Sequence, residues 1–179
     1  MSFLNKAIVL DRDGTINIDY GYVHKIEDFE FIPGTFEALK KLQGEYLLFI
    51  FTNQSGIGRG YYNKEDLKKL NNFMLKKFRE KGINIEDVFY CPHKPDNNCD
   101  CRKPKTKLVD ALIEKYHIDV SNSYVIGDKT ADIKLAENLG MRSVLVKTGK
   151  GGKDKKYEVR PTYVAKDLVE ASNTILNNH

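Results

Sequence analysis

The chain has 179 residues, 41% of them hydrophobic and 30% charged, with three cysteines and a formal net charge of +4. That length buries a core without disulfides, and the composition is that of an ordinary soluble globular protein. MSFLNKAIVLDRDG holds too short an apolar run for a signal peptide, and YLLFIF (46–51) is far short of a membrane span, so a cytoplasmic protein without membrane partners is expected.

Apolar runs at AIVL (7–10), YLLFIF (46–51), VFY (88–90), YVI (124–126) and SVLV (143–146) read as strands, with TYVA (162–165) a weaker sixth. Amphipathic segments at 34–43, 64–81, 105–117, 130–139 and 167–177 read as helices between them. In the second helix Leu67, Leu70, Phe73, Met74 and Phe78 form one stripe, with Asn63 as N-cap and Gly82 at its end. The alternation predicts an α/β domain, a doubly wound parallel sheet, spanning 1–179 as a single unit and acting as a monomer. Ligands of such sheets bind at the carboxyl ends of the strands.

Those ends are polar. The first run ends in DRDGT, with Asp11 and Asp13 two apart and Gly14 free to turn. The second ends in TNQSG, which brings Thr52, Asn53, Gln54 and Ser55 to the same edge. The fourth ends in GDKTAD, adding Asp128 and, one helical turn on, Asp132; Arg102 and Lys103 precede a helix start. Several carboxylates on one edge repel unless a cation relieves them, and oxygen-only donors suit Mg²⁺ beside a phosphate. The mild positive charge suits a polyanionic small molecule. The run GKGGKDKK (149–156) has no aromatic platform, so it reads as a solvated loop rather than a nucleic-acid site.

CPHKPDNNCDCRKP (91–104) contains every cysteine. Cys91, His93, Cys99 and Cys101 have the number and spacing to close a structural Zn²⁺ tetrahedron. A Cys99–Cys101 disulfide, a thiol nucleophile and a nucleic-acid finger are the competing readings. The last ligand adjoins Arg102 and Lys103, so zinc in this loop (91–101) would anchor the residues that meet phosphate.

DRDGT, FTNQSG, the lysine of RKP and GDKTAD, in that order, resemble the four motifs of the haloacid dehalogenase superfamily in its phosphatase branch. The resemblance implies that Asp11 is the nucleophile and Asp13 the acid and then the base. It implies that Thr52 and Lys103 hold the phosphoryl group, and that Asp11, Asp128 and the Asp13 carbonyl hold Mg²⁺, with Asp132 behind them. The superfamily's dehalogenases lack the acid at position 13, which disfavours dehalogenation. A receiver-like phospho-accepting domain is the non-catalytic alternative, but it would not place that acid there.

The spacings leave no room for a large cap domain. Two groups of small zinc-containing phosphatases are similar to the rest: those acting on D-glycero-D-manno-heptose 1,7-bisphosphate and those acting on histidinol phosphate. Residues 11–34, 53–60 and 146–151 resemble the former, while the short cysteine loop is similar to both. The heptose bisphosphate is the expected substrate. The resemblance puts Asp19, Tyr20, Gly21, Tyr22 and His24 where sugar hydroxyls are read, and makes Arg59 and Arg102 candidate cations for a second phosphate.

Overall fold

The computed structural model describes residues 4–178. Six strands, β1 (Ala7–Leu10), β2 (Leu47–Asn53), β3 (Asp87–Cys91), β4 (Tyr124–Gly127), β5 (Arg142–Val146) and β6 (Tyr163–Ala165), form one sheet in the order β3-β2-β1-β4-β5-β6. Every pairing is parallel. The chain winds outward from β1 through β2 and β3, then returns to the other side of β1 as β4. The crevice at the carboxyl ends of β1 and β4 is therefore the switch point where such sheets bind ligands.

Strand periodicity divides the core. Ile8, Leu10, Leu48, Ile50, Tyr124 and Ile126 pack on one face with α1 (Thr35–Leu42), α3 (Lys64–Glu80) and α6 (Leu168–Asn177). Ala7, Val9, Phe49, Phe51 and Val125 pack on the other with α4 (Lys107–Tyr116) and α5 (Thr130–Leu139). Burial on both faces explains why the strands read as continuous apolar runs rather than alternating ones. Asn63 caps α3 by accepting from Asp66 N at 2.9 Å, while the Asp66 carboxylate accepts from Asn63 N at 3.0 Å.

The elements differ from the sequence reading in two places. β2 continues past its apolar run to Asn53, because the ladder with β3 extends through Thr52↔Tyr90 and Asn53↔Cys91. A short helix, α2 (Ser55–Gly58), follows, which is not among the elements the apolar periodicity predicts. Between β1 and β2 lie only a 3-10 turn (Ile26–Asp28) and α1, and between β2 and β3 only α2 and α3, so neither interval holds a folded cap. The cavity over the strand ends is roofed by loops.

Phe78 is fully buried, with ring centroids 5.4 Å from Phe31 and 5.7 Å from Phe36. Phe78→Ala is expected to destabilise the fold by about 3–5 kcal/mol, measured by urea denaturation.

Candidate active site

The site is built around a buried lysine. Lys103 Nζ donates to Asp11 Oδ1 at 2.8 Å, Asp132 Oδ1 at 2.7 Å and the Phe51 carbonyl at 2.7 Å. Lys103 and its two acids are each 5% exposed or less. Burial pulls an ammonium down and a carboxylate up. For Lys103 the two carboxylates outweigh burial and raise it. Burial likewise works to push Asp11 up, yet Lys103 and Lys129 outweigh it and hold its carboxyl down at about 2. Asp11 is thus an ionised carboxylate, and its side chain is almost fully buried.

Asp128, fully buried, is the contrary case: burial, reinforced by Asp11, pushes it up to about 8. Asp132 is raised by burial and by Asp11 as well. The ligand atoms of Asp11, Asp128 and Asp132 lie within 4.8 Å of one another. A crowd of acids with too little positive charge is the donor set that a hard divalent cation relieves. The Lys129 ammonium already lies against the oxygens expected to bind one. It is 3.2 Å from Asp13 O, 3.5 Å from Asp128 Oδ1 and 3.7 Å from Asp11 Oδ2.

Asp13 is gripped by donors from several elements. Oδ1 accepts from Arg12 Nη2 and Asn17 Nδ2, each at 2.9 Å, and Oδ2 accepts from Arg12 Nη2 at 3.0 Å and Gln54 Nε2 at 2.9 Å. Arg12 is fully buried and also donates to the Val23 carbonyl at 2.7 Å. Its place as the middle residue of DRD gave no sign of this, since an arginine beside an aspartate is common on surfaces.

A cavity of ≈ 460 Å³ lies over these groups. Asp11, Asp13, Asp19, Gly21, Tyr22, Thr52, Asn53, Gln54, Ser55, Arg102 and Lys103 all line it. Asp128 lies beneath, its Oδ2 accepting from Lys150 N at 2.7 Å. Tyr20 and Arg59 do not line it. Tyr20 is 62% exposed with its hydroxyl on Glu30 Oε2 at 2.6 Å, and Arg59 is exposed on the turn after α2. His24 stacks on Tyr62 at 4.5 Å outside the lining.

The lysine-rich run is not simply a solvated loop. Asp154 accepts from Thr130 N at 3.0 Å and from its hydroxyl at 2.6 Å, and Thr148 Oγ1 donates to the Gly14 carbonyl at 2.7 Å. Strapped in this way, Lys150, Asp154 and Lys156 line the cavity, as does Lys129. Composition concealed this, because the contacts of Thr148, Lys150 N, Gly152 N and Asp154 that fold the run over the site are made to residues distant in sequence.

The cysteine loop forms a closed four-ligand cluster. Cys91 Sγ is 3.5 Å from Cys99 Sγ and 3.2 Å from Cys101 Sγ, and His93 Nδ1 is 3.2 Å from Cys101 Sγ and 3.6 Å from Cys91 Sγ. A tetrahedron with ~2.3 Å metal–sulfur bonds has edges of about 3.7 Å, so the donor set fits one zinc-sized ion. All three cysteines are free thiols. The cluster is tied to the strand end: Gln54 N donates to Cys91 O at 2.7 Å, Arg102 Nη1 to His93 O at 3.2 Å, and Lys103 N to Asn53 Oδ1 at 3.1 Å.

An ionised aspartate, a second aspartate gripped by donors and a buried lysine stand together at the switch point of a parallel sheet, the setting of a hydrolase of the haloacid dehalogenase type, and residues 100–171 match the model of the HAD-hydrolase-like family. The chain is 47% identical over 154 residues to the D-glycero-beta-D-manno-heptose-1,7-bisphosphate 7-phosphatase of Haemophilus ducreyi, covering 81% of this chain and 85% of that one. It is 46% identical over 142 residues to the D-glycero-alpha-D-manno-heptose-1,7-bisphosphate 7-phosphatase of Campylobacter jejuni, covering 79% and 81%. The crystal structure of D,D-heptose 1,7-bisphosphate phosphatase from B. bronchiseptica, complexed with magnesium and phosphate, superposes with a TM-score of 0.89 at 29% identity, over 97% of this chain and 99% of that one. The chain belongs to the D-glycero-D-manno-heptose-1,7-bisphosphate 7-phosphatase family. Among the described residues no helix is long and apolar enough to cross a membrane.

A Cβ built on Gly149 would lie 2.1 Å from Asp128 Oδ2 and 2.8 Å from Gly14 Cα. Gly149→Ala is therefore expected to displace Asp128 and weaken divalent-cation binding by the acidic cluster about 10–100-fold, read by titration calorimetry.

Proposed function

We propose that this chain is a Mg²⁺-dependent phosphatase that removes the 7-phosphate of D-glycero-D-manno-heptose 1,7-bisphosphate through an aspartyl-phosphate, in the making of nucleotide-activated heptose for surface glycans. The observation that carries this reading is Asp11, ionised by Lys103 and facing a cavity that it shares with Asp13 and Thr52.

An Asp11 carboxylate oxygen attacks phosphorus in line, and the bond from phosphorus to the C7 oxygen breaks. Asp13 gives its proton to that oxygen, so the sugar leaves as an alcohol. Water then attacks the aspartyl-phosphate, Asp13 takes a proton from it, and inorganic phosphate departs with Asp11 regenerated. Thr52 donates its hydroxyl to a transferring phosphoryl oxygen, and Lys103 turns one of its three donors, which here meet Asp11, Asp132 and the Phe51 carbonyl, to another. Asp11, Asp128 and the Asp13 carbonyl would hold Mg²⁺, which neutralises charge on those oxygens when bound.

The substrate reading rests on the family and on charge. A cavity of ≈ 460 Å³ is of sugar-phosphate size, and Arg102, Lys129, Lys150 and Lys156 give it more cations than one phosphate requires. Arg102 takes the second phosphate, supported by its place in the lining. Asp19, Tyr22 and the Gly21 backbone read sugar hydroxyls. Tyr22 holds a left-handed backbone at φ 50 beside Gly21 at φ 83, a costly conformation that keeps its ring at the cavity wall. The Cys91–His93–Cys99–Cys101 cluster holds Zn²⁺ and fixes the Arg102–Lys103 pair. One domain acting as a cytoplasmic monomer completes the reading, supported by three free thiols suited to a reducing compartment.

Two measurements test it. With Mg²⁺ present, kcat/KM for heptose 1,7-bisphosphate is expected to exceed that for histidinol phosphate by at least about 100-fold, the discrimination that unpaired polar groups impose; the reverse order overturns the substrate. Phosphate release should be continuous and abolished by Asp13→Ala, whereas a single stoichiometric phosphorylation overturns the enzyme reading. Cys101→Ser is expected to remove zinc, counted per chain by elemental analysis, and to lower kcat about tenfold or more by loosening Lys103.

A further inference from the structure

We infer that Gln54 does not contact substrate but is a positioning residue that holds the acid Asp13 and the phosphate-binding Thr52 at a fixed offset, with Tyr62 fixing Gln54 in turn. The inference rests on the phosphatase reading above and adds to it the device that aims the acid.

Gln54 is 3% exposed, and its amide nitrogen donates to Asp13 Oδ2 at 2.9 Å and to Thr52 Oγ1 at 2.8 Å. A primary amide has two N–H donors, so none is left for a phosphate or a sugar. Its oxygen accepts from Tyr62 OH at 2.5 Å. The Asp13 carboxylate leaves the amide one orientation, because a flipped amide would set its oxygen against that carboxylate, and Tyr62 then donates to the amide oxygen. The backbone is pinned as well, by Gln54 N donating to Cys91 O at 2.7 Å.

Tyr62 is held as firmly. It is 7% exposed and stacks on His24 with centroids 4.5 Å apart and planes 6° from parallel. A Cβ on Gly56 would lie 2.1 Å from Tyr62 Cε1, so the bare glycine is what lets the ring press against α2. Burial pushes the Tyr62 hydroxyl up to about 12, which keeps it a donor. A chain of contacts therefore runs from His24, in the β1–α1 segment, through Tyr62 and Gln54 to the acid and to the end of β2. Proton transfer to a leaving oxygen depends steeply on geometry, and Asp13 and Thr52 serve the two ends of the bond that breaks.

The test uses two esters whose leaving groups differ in their need for a proton. Heptose 1,7-bisphosphate expels an alkoxide that must be protonated, whereas p-nitrophenyl phosphate expels a stabilised phenolate. Because kcat/KM reports steps through phosphorylation, it isolates the acid. Gln54→Leu is expected to lower kcat/KM for the heptose ester about 100-fold and for the aryl ester about tenfold less, with KM little changed. Tyr62→Phe, which removes one oxygen, is expected to move both values the same way by about tenfold or less. The double variant should be no worse than Gln54→Leu alone. Equal losses on the two esters, a loss confined to KM, or multiplying losses in the double variant would overturn the inference. Should Gln54→Leu not fold, Tyr62→Phe carries the comparison. Wild-type protein that releases no phosphate from the heptose ester overturns the phosphatase reading itself, which distinguishes the two failures.

Discussion

Everything at this site depends on one buried ammonium. Lys103 lies 92 positions from Asp11 in sequence, yet the two meet at 2.8 Å at the bottom of the cavity. Burying two carboxylates beside a third would cost several kcal/mol per ion without a counter-charge. Lys103 supplies it to Asp11 and Asp132 together, and the Phe51 carbonyl takes its third donor. The end of β1, strand β2, the first turn of α5 and the cysteine loop are thus fastened by a single atom. Lys103 and Lys129 together hold Asp11 low, whereas burial and the neighbouring Asp11 outweigh the lysines at Asp132 and Asp128 and raise both.

An ammonium on a flexible stem needs something rigid behind it. The backbone of Lys103 is bonded to the Asn53 side chain, whose strand pairs with β3 where Cys91 begins the four-ligand cluster. A loop of prolines, asparagines and glycine-free turns has little packing of its own, so a metal-sized cluster of thiols and imidazole is what can hold it. Proximity in sequence between Cys101 and Lys103 becomes rigidity only because both ends of the loop are stitched to β2.

Asp13 is held by a different set of partners. Buried Arg12 pairs with it at 2.9 Å, and Asn17 and Gln54 donate to it as well, while it stays in the cavity wall. Arg102, Lys129, Lys150 and Lys156 line the same cavity. Asp11, Asp13 and these cations come from different elements, so each is held by its own hydrogen bonds.

The sequence by itself determined the alternation of strands and helices, because a parallel sheet buried on both faces writes continuous apolar runs. It also determined the polar strand ends and the cysteine cluster, because their residues are local in sequence and their chemistry follows from type and spacing. β2 could not be bounded that way, since the ladder that carries it to Asn53 belongs to β3. Only the tertiary structure decided the roles of Arg12, Gln54, Tyr62 and Lys129, and turned a run of lysines into a cavity wall. It likewise left Tyr20 and Arg59 outside the lining, near though they are in sequence to residues that face it. For Gln54 and Lys129 the physical reason is a hydrogen bond or ion pair to a residue distant in the chain, which leaves no pattern in the local sequence; for Arg12, paired with its neighbour Asp13, it is burial that the sequence does not show.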